Sequence, residues 1–151
     1  MNSKKLYNVW LPYTMVTFQL GSLAYIALSG HLFSTTWYGL MVEFTGIALA
    51  VWAILVMRNN ANVAPIPKTN GMLITNGPYR FIRHPMYTAQ VVAVIPLVIE
   101  QTTIYRIVAL AILITTLLFK LHYEEKRLVK HFGQPYRNYQ RVSKKILPYI
   151  Y

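Results

Sequence analysis

Between Trp37 and Met57 the chain reads WYGLMVEFTGIALAVWAILVM, an apolar run with a single formal charge, at Glu43. A helix needs about 20 mostly apolar residues to cross the hydrocarbon core of a bilayer. The run therefore predicts a membrane-spanning helix. A carboxylate inside such a helix is costly to bury and is a functional candidate by default, although Glu43 is close enough to Trp37 to reach the membrane interface instead.

Other apolar runs predict three further helices in an all-α, polytopic membrane protein. We expect four membrane helices, near Leu11–Ser29, Trp37–Met57, Met86–Ile99 and Ile104–His122. The third is short enough to be only partly inserted, and the tight link Glu100–Thr103 predicts that the third and fourth helices form a hairpin. We interpret residues 1–151 as one domain, with the first two spans in 1–58 and the remainder in 59–151.

The composition agrees with a membrane protein and excludes other classes. Hydrophobic residues make up 55% of the chain, charged residues make up 13% and the mean hydropathy is +0.35, whereas an ordinary soluble domain has about 25% charged residues. The 15 Lys and Arg against 4 acids would suggest nucleic-acid binding in a soluble protein. In so apolar a chain they predict a cationic membrane face and no nucleic-acid partner. With no cysteine, no disulfide or thiolate site can form, and we predict no metal site.

The distribution of Lys and Arg predicts the orientation. With four spans, one side holds the N-terminus, the Arg58–Arg83 loop and the tail, and it carries fourteen of the fifteen Lys and Arg residues, all but Arg106. Because cytoplasmic loops are enriched in these residues, we expect both termini in the cytosol. Lys4 and Lys5 before an apolar run also resemble a signal peptide, but the run exceeds the roughly 7–15 apolar residues of that class, so we expect the helix to be retained.

Two polar segments flank the predicted hairpin, and the topology brings them together at its cytosolic mouth. They are Asn59–Tyr87, rich in Asn, Pro and Gly, and the tail Lys120–Tyr151. Any chemistry of the chain is expected where these two segments meet.

The first polar segment ends in NGPYRFIRHPMY, residues 76–87. Pro85 suits the first turn of a helix, which places His84 at the helix start, where free backbone N–H groups favour an anion. Arg80 and Arg83 add cationic donors. The alternative interpretation is that both arginines only anchor the chain at the membrane surface and that His84 is merely interfacial.

The second polar segment begins with an acidic pair, Glu124-Glu125, which holds half of the acids in the chain. A carboxylate here can accept hydrogen bonds from a ribose or an amine, or can face a cation. The alternative is a simple ion pair of Glu124 with Arg127, one helical turn away. An apolar stripe continues to Phe132, so we expect the fourth helix to project beyond the membrane and to end at Gly133.

Motifs of soluble nucleotide-binding folds are missing from the sequence. The chain has no GxGxxG, no P-loop and no HExxH, and it lacks the alternating strands and helices of a dinucleotide-binding unit. A soluble-type methyltransferase or dehydrogenase fold is thereby excluded. The membrane helices and their flanking segments must form any cofactor site themselves.

Taken in order, these elements resemble the isoprenylcysteine carboxyl methyltransferase and phospholipid methyltransferase superfamily. The resemblance covers Thr69–Tyr149. Its elements are Gly77-Pro78-Tyr79-Arg80-x-x-Arg83-His84-Pro85-x-Tyr87, then Glu124-Glu125, then Phe132-Gly133-x-x-Tyr136-x-x-Tyr139 and Pro148. Membrane sterol reductases share a similar carboxy-terminal module but usually carry Arg-His-Pro-Asn-Tyr, whereas this chain has Met86 at the fourth position.

The resemblance implies a cytosol-facing site for S-adenosylmethionine, with a lipid-side tunnel for a membrane-embedded acceptor. The acceptor would be a prenylcysteine-like carboxylate or a phospholipid amine, and a small thiol stays open. The cofactor-binding residues implied by the motif match are Tyr79, Arg80, Arg83, His84, Pro85, Tyr87, Glu124 and Glu125, of which Arg83, His84 and Glu125 would be catalytic. The alternatives are an NADPH-dependent reductase of a lipophilic alkene and a non-catalytic protein that binds lipid. The oligomeric state is not indicated.

Overall fold

The computed structural model describes residues 3–57 and 72–147, with side chains from Trp10 onward. These residues form five α-helices and one 3₁₀ helix, and they contain no strand apart from a single bridge. The elements are α1 Ser3–Leu28, α2 Trp37–Met57, the 3₁₀ helix Gly77–Arg80, α3 Pro85–Glu100, α4 Ile104–Phe132 and α5 Gln134–Val142. The prediction of an all-α, polytopic membrane protein is confirmed.

Three helices of the described chain are long and apolar enough to cross a membrane: residues Trp10–Leu28 of α1, all of α2, and α4. The apolar α3 is shorter, with 16 residues. In α2 the buried positions are small or polar residues, Gly39, Glu43, Gly46 and Ala53, while large side chains such as Leu55 point outward. In a helix of a soluble protein the large apolar side chains are instead buried. The pattern is reversed in a spanning helix because its lipid surroundings are themselves apolar.

The helices associate mainly as two pairs, α2 with α3 and α1 with α4. Gly46 allows the closest approach of α2 to α3, since a Cβ atom there would lie 2.6 Å from the backbone nitrogen of Ala93 and 2.8 Å from the carbonyl oxygen of Ala89. Small residues on facing helices permit such backbone contact, which is a main source of packing energy within a membrane. α3 and α4 are consecutive and joined by the short turn 101–103.

Hydrogen bonds close one end of the bundle, formed by residues 29–36 and 101–103, which we call the loop end. Oε2 of Glu43 accepts a bond of 2.9 Å from the backbone N–H of Ser34, and the Glu100 carboxylate accepts one of 2.7 Å from the N–H of Thr35. Arg106, which is 2% exposed, donates from Nη2 to the carbonyl oxygen of Ile26 over 2.6 Å. Glu43 therefore anchors a loop.

The opposite end of the bundle is longer, and we call it the tail end. α4 has 29 residues, or about 44 Å of helix, which exceeds the roughly 30 Å core of a bilayer. The helix stops at Phe132 because Gly133 adopts a φ of 62°, a conformation that glycine accepts at little cost. The predicted end of the helix at Gly133 is confirmed, and its length is consistent with the expected projection beyond the membrane.

Candidate functional site

The 3₁₀ helix and the first turn of α3 carry the first group of candidate residues. Gly77 opens the 3₁₀ helix with a φ of 57°, and Pro78 follows at its first turn. Pro85 then starts α3, with His84 at the N-cap position as expected. The earlier part of the predicted segment, residues 58–71, and Pro148 lie outside the described residues.

The tail packs along this segment through backbone hydrogen bonds. Lys144 N–H donates to the carbonyl oxygen of Phe81 over 3.0 Å, and its own carbonyl oxygen accepts from Arg83 N–H over 2.7 Å. His84 N–H donates to the carbonyl oxygen of Lys145 over 3.0 Å. The tail thus occupies the amides of Arg83 and His84, and Pro85 has no N–H, so the expected anion site at the helix start has fewer free amides than predicted.

Arg83 joins the tail to the acidic pair. Its Nε lies 2.6 Å from Oε1 of Glu125, and its Nη1 donates to the carbonyl oxygens of Ser143 and, over 3.3 Å, of Gln140. Gln140 in turn donates to the other oxygen of Glu125 over 3.4 Å. Such charged hydrogen bonds in a buried setting fix the guanidinium plane.

The second carboxylate has different partners. Tyr87 donates its hydroxyl to Oε2 of Glu124 over 2.7 Å, and the His84 ring stacks on the Tyr87 ring with centroids 5.2 Å apart. Nδ1 of His84 lies 3.7 Å from the same Glu124 oxygen. Arg127 instead donates to the Tyr123 hydroxyl, so the alternative of a simple Glu124–Arg127 pair is not what the structure contains.

Three further tyrosines surround these groups. Tyr139 donates to the carbonyl oxygen of Tyr79, whereas the buried hydroxyls of Tyr79 and Tyr136 have no hydrogen-bond partner among the described residues. Burial raises the pKa values of the Tyr79 and Tyr136 phenols well above the ordinary value for tyrosine. It also raises the pKa of Tyr139 to about 12. All three hydroxyls therefore stay protonated at neutral pH and can donate to a ligand or to the protein.

The described residues enclose two adjoining cavities here, of about 70 and 40 Å³. Both are bounded by Tyr79, Arg83, His84 and Glu124; Pro85 and Tyr87 complete one wall, and Tyr136, Tyr139 and Phe132 complete another. Glu125 lies behind Arg83 and lines neither cavity, and the side chain of Arg80 is exposed and also outside both linings. Six of the eight predicted cofactor-binding residues thus line one or both of these cavities.

A buried polar cluster beneath Tyr87 was not predicted. Lys120 is 3% exposed and lies with Nζ 5.4 Å from the centre of the Tyr87 ring. It donates to Gln19 over 2.7 Å, and Gln19 donates to Gln90 over 2.6 Å. The signal available in the sequence was a pair of glutamines, on the first and third helices, in otherwise apolar runs.

A larger apolar groove of about 340 Å³ lies elsewhere, between α1 and α4. It is lined by residues such as Phe18, Tyr25 and Tyr105 and shares no lining residue with the candidate site.

Comparison with known proteins agrees with the motif resemblance. The chain is 31% identical over 124 residues to a protein-S-isoprenylcysteine O-methyltransferase of Tribolium castaneum. This alignment covers 74% of this chain and 41% of the relative. It is 30% identical over 142 residues to a methanethiol S-methyltransferase of Pseudomonas deceptionensis. That alignment covers 93% of this chain and 52% of the relative. The chain thus spans about half the length of these relatives, or less.

The family model of phospholipid methyltransferases matches residues 34–135. That range contains all of α2, α3 and α4, together with the Arg83-His84-Pro85 element and the Glu124-Glu125 pair. Since the match covers more than half of the chain, the resemblance is confirmed: the chain belongs to the phospholipid methyltransferase family.

Proposed function

We propose that this chain is an S-adenosylmethionine-dependent methyltransferase that binds its cofactor in the joined cavities at the tail end. The observation that carries the proposal is that four elements meet at these cavities. Their linings combine side chains from the 3₁₀ helix, the start of α3, the projecting part of α4, and α5. A guanidinium, a carboxylate and two unpartnered phenol hydroxyls meet there within the described residues.

These groups fit the chemistry of the cofactor. The Arg83 guanidinium suits its carboxylate, Glu124 suits its amino group or ribose hydroxyls, and the rings of Tyr79 and Tyr136 suit a sulfonium through cation–π attraction. The cavities are smaller than the roughly 300 Å³ at which ligand pockets begin. Binding must therefore move side chains that line the cavities.

When bound, the cofactor would supply a methyl group on a cationic sulfur for in-line transfer. The protein's task is then to align the reactants and to exclude water, which accounts for large rate effects. Glu125 contributes through Arg83, whose guanidinium it orients. A carboxylate or thiolate acceptor needs no base. For an amine acceptor, we propose His84 as the group that takes a proton, because its ring lines both cavities and lies between the two carboxylates, with Nε2 3.5 Å from Oε1 of Glu125.

We propose a lipophilic acceptor that reaches the site from the bilayer, such as a prenylcysteine-like carboxylate or a phospholipid amine. The relatives bear names that specify an isoprenylcysteine and methanethiol, so the acceptor of this chain is to be identified by experiment. We also propose that the tail end faces the cytosol, as the Lys and Arg distribution predicts.

The proposal is tested by titrating the detergent-solubilised protein with S-adenosylmethionine and, separately, with NADPH. We expect binding of the first only, and loss of that binding in Glu124→Gln. Binding of NADPH alone would favour the reductase alternative, and binding of neither would favour a non-catalytic lipid-binding role. Incubation of membranes with isotope-labelled S-adenosylmethionine, followed by mass analysis of their lipids, then identifies the acceptor.

A further inference from the structure

Three exposed apolar side chains lie along the edge where the tail meets the segment before α3. They are Phe81, Val142 and Leu147, which we call the apolar tail patch; Val142 is 79% exposed. The backbone bond from Lys144 N–H to the carbonyl oxygen of Phe81 brings the two segments into register. Apolar side chains gathered at such an edge are unfavourable in water and mark a contact surface.

The surroundings of the patch are cationic. Arg80, Arg141 and Lys144 are exposed next to it, and the chain after Glu125 contains seven Lys or Arg residues and no acid. A basic surface with apolar side chains at its centre has the composition of a segment that lies in the interface of an anionic membrane.

The level of the patch relative to the bilayer can be derived from α2. Its 21 residues give about 32 Å of helix, which matches the roughly 30 Å core, so its last residue Met57 marks the boundary. Met57 lines the same cavity as His84 and Pro85, which places the start of α3 at that boundary.

The tail passes this boundary on its way toward the bilayer. Its successive contacts are Ser143 with Arg83, then Lys145 with His84, and then Ile146, whose carbonyl oxygen accepts from the Thr88 hydroxyl over 2.8 Å. Thr88 lies one helical turn inside α3. The end of the described tail, Leu147, is therefore level with the headgroups and the first acyl carbons.

We propose that the apolar tail patch inserts into the headgroup region of an anionic leaflet, with its surrounding cations on the lipid phosphates. The inserted segment is the one that supplies Gln140 and Ser143 to Arg83. The leaflet would thereby hold the tail against the candidate site. This inference concerns the position of the tail and does not depend on the proposed reaction.

The absence of native cysteine permits a direct test with single spin labels. Val142→Cys reports the patch, and Asn138→Cys reports an exposed position one turn earlier on α5. Ile107→Cys, on the outer surface of α4, serves as the reference for a lipid-facing site. Each labelled protein is reconstituted into phosphatidylcholine vesicles with and without phosphatidylserine, and the accessibility of the label to oxygen and to a water-soluble nickel chelate is measured.

We expect the ratio of oxygen to nickel-chelate accessibility at residue 142 to be several-fold higher than at residue 138 and to lie below that at residue 107, because the headgroup region is less apolar than the acyl chains. The ratio should fall when phosphatidylserine is omitted, or when Arg141→Gln and Lys144→Gln are combined in its presence. A label at residue 142 as accessible to the chelate as the label at residue 138 would overturn the insertion. Protection of the label at residue 142 from both reagents would also overturn the insertion, since protein would then cover the patch. An unchanged ratio without phosphatidylserine would overturn the requirement for anionic lipid.

Discussion

Nε of Arg83 lies 2.6 Å from Oε1 of Glu125, and the two side chains are only 7% and 11% exposed. The neighbouring Glu124 faces the cavity and bonds Tyr87 instead. Adjacent residues on a helix point about 100° apart, so Glu124 pairs with Tyr87 and Glu125 with Arg83. The His84 ring is shared, with Nδ1 3.7 Å from Oε2 of Glu124 and Nε2 3.5 Å from Oε1 of Glu125. Glu125 holds the arginine in place, and Glu124 is left facing the ligand space.

The two glutamates should therefore respond differently to the same substitution. Glu125→Gln leaves a buried arginine without its counter-charge and should lower the free energy of unfolding by about 3 kcal/mol. Glu124→Gln should cost about 1 kcal/mol or less while still weakening S-adenosylmethionine binding. Thermal unfolding in detergent, read beside a ligand titration, measures both. Equal losses of stability in the two variants would contradict the division of roles.

Arg83→Lys should weaken S-adenosylmethionine binding by at least about tenfold, or 1.4 kcal/mol. A lysine keeps the charge, but it cannot donate to Glu125 and to the Ser143 and Gln140 carbonyls through a planar fork. Arg141→Lys is the matched control, because Arg141 is exposed and outside the cavity lining. Near-wild-type affinity in both variants would show that Arg83 is only a membrane anchor.

Gly46→Ala should destabilise the protein by about 1–3 kcal/mol, the usual cost of overpacking. The added Cβ atom would lie within 3 Å of the backbone of α3, and backbone in a packed helix cannot move aside cheaply. Gly21→Ala is the control, since a Cβ atom there meets nothing within 4 Å in the described part of the chain. Unfolding temperatures that fall equally would be inconsistent with the close α2–α3 contact.

The tyrosines predict a loss of stability at alkaline pH. Tyr139 has a pKa raised from 10 to about 12 by burial, so its contribution is complete below pH 10 and is lost as the pH rises toward 12. One such proton changes the free energy of unfolding by at most about 1.4 kcal/mol per pH unit. Tyr139→Phe should start less stable, because it loses the bond to Tyr79, but should show a shallower decline from pH 10 to pH 12. If the free energies of unfolding of the two proteins fell in parallel from pH 10 to pH 12, the raised pKa of Tyr139 would be contradicted.

The orientation is tested by reporter fusions at His31 and after Tyr151. The two positions lie on opposite sides of the membrane if both termini are cytosolic, and the signals should then be opposite. Identical signals would require a different number of crossings. The reason for the expectation is the placement of fourteen of the fifteen Lys and Arg residues on one side.

The sequence predicted most clearly the features that depend on local chemistry. The bounds of α2 agree with the apolar run Trp37–Met57, since helix length here follows bilayer thickness, and the end of α4 follows from Gly133. The start of α3 at Pro85 was likewise predictable, because proline at that position restricts φ and needs no hydrogen bond.

Features that depend on distant pairing were not predictable in the same way. The bridge between Ile82 and Lys144 joins residues far apart in sequence and occupies amides that were expected to be free. The division of roles between Glu124 and Glu125 depends on that pairing, since the tail brings Gln140 and Ser143 to Arg83. Lys120 was counted as a surface charge, but its contact with Gln19 draws it inward, and no local pattern distinguishes the two cases.

The hydrogen bonds at the loop end have a consequence for sidedness. Glu43 and Glu100 accept hydrogen bonds from residues 34–36, and Arg106 donates to the end of α1. These bonds hold the helices and loops together at that end of the bundle. The candidate site lies at the other end, where the tail is held by backbone bonds of Lys144 and Lys145 and by the side chain of Arg83. We therefore expect the lipophilic acceptor that we propose to enter from the leaflet at the tail end, so that an acceptor molecule in the opposite leaflet must first flip across the membrane.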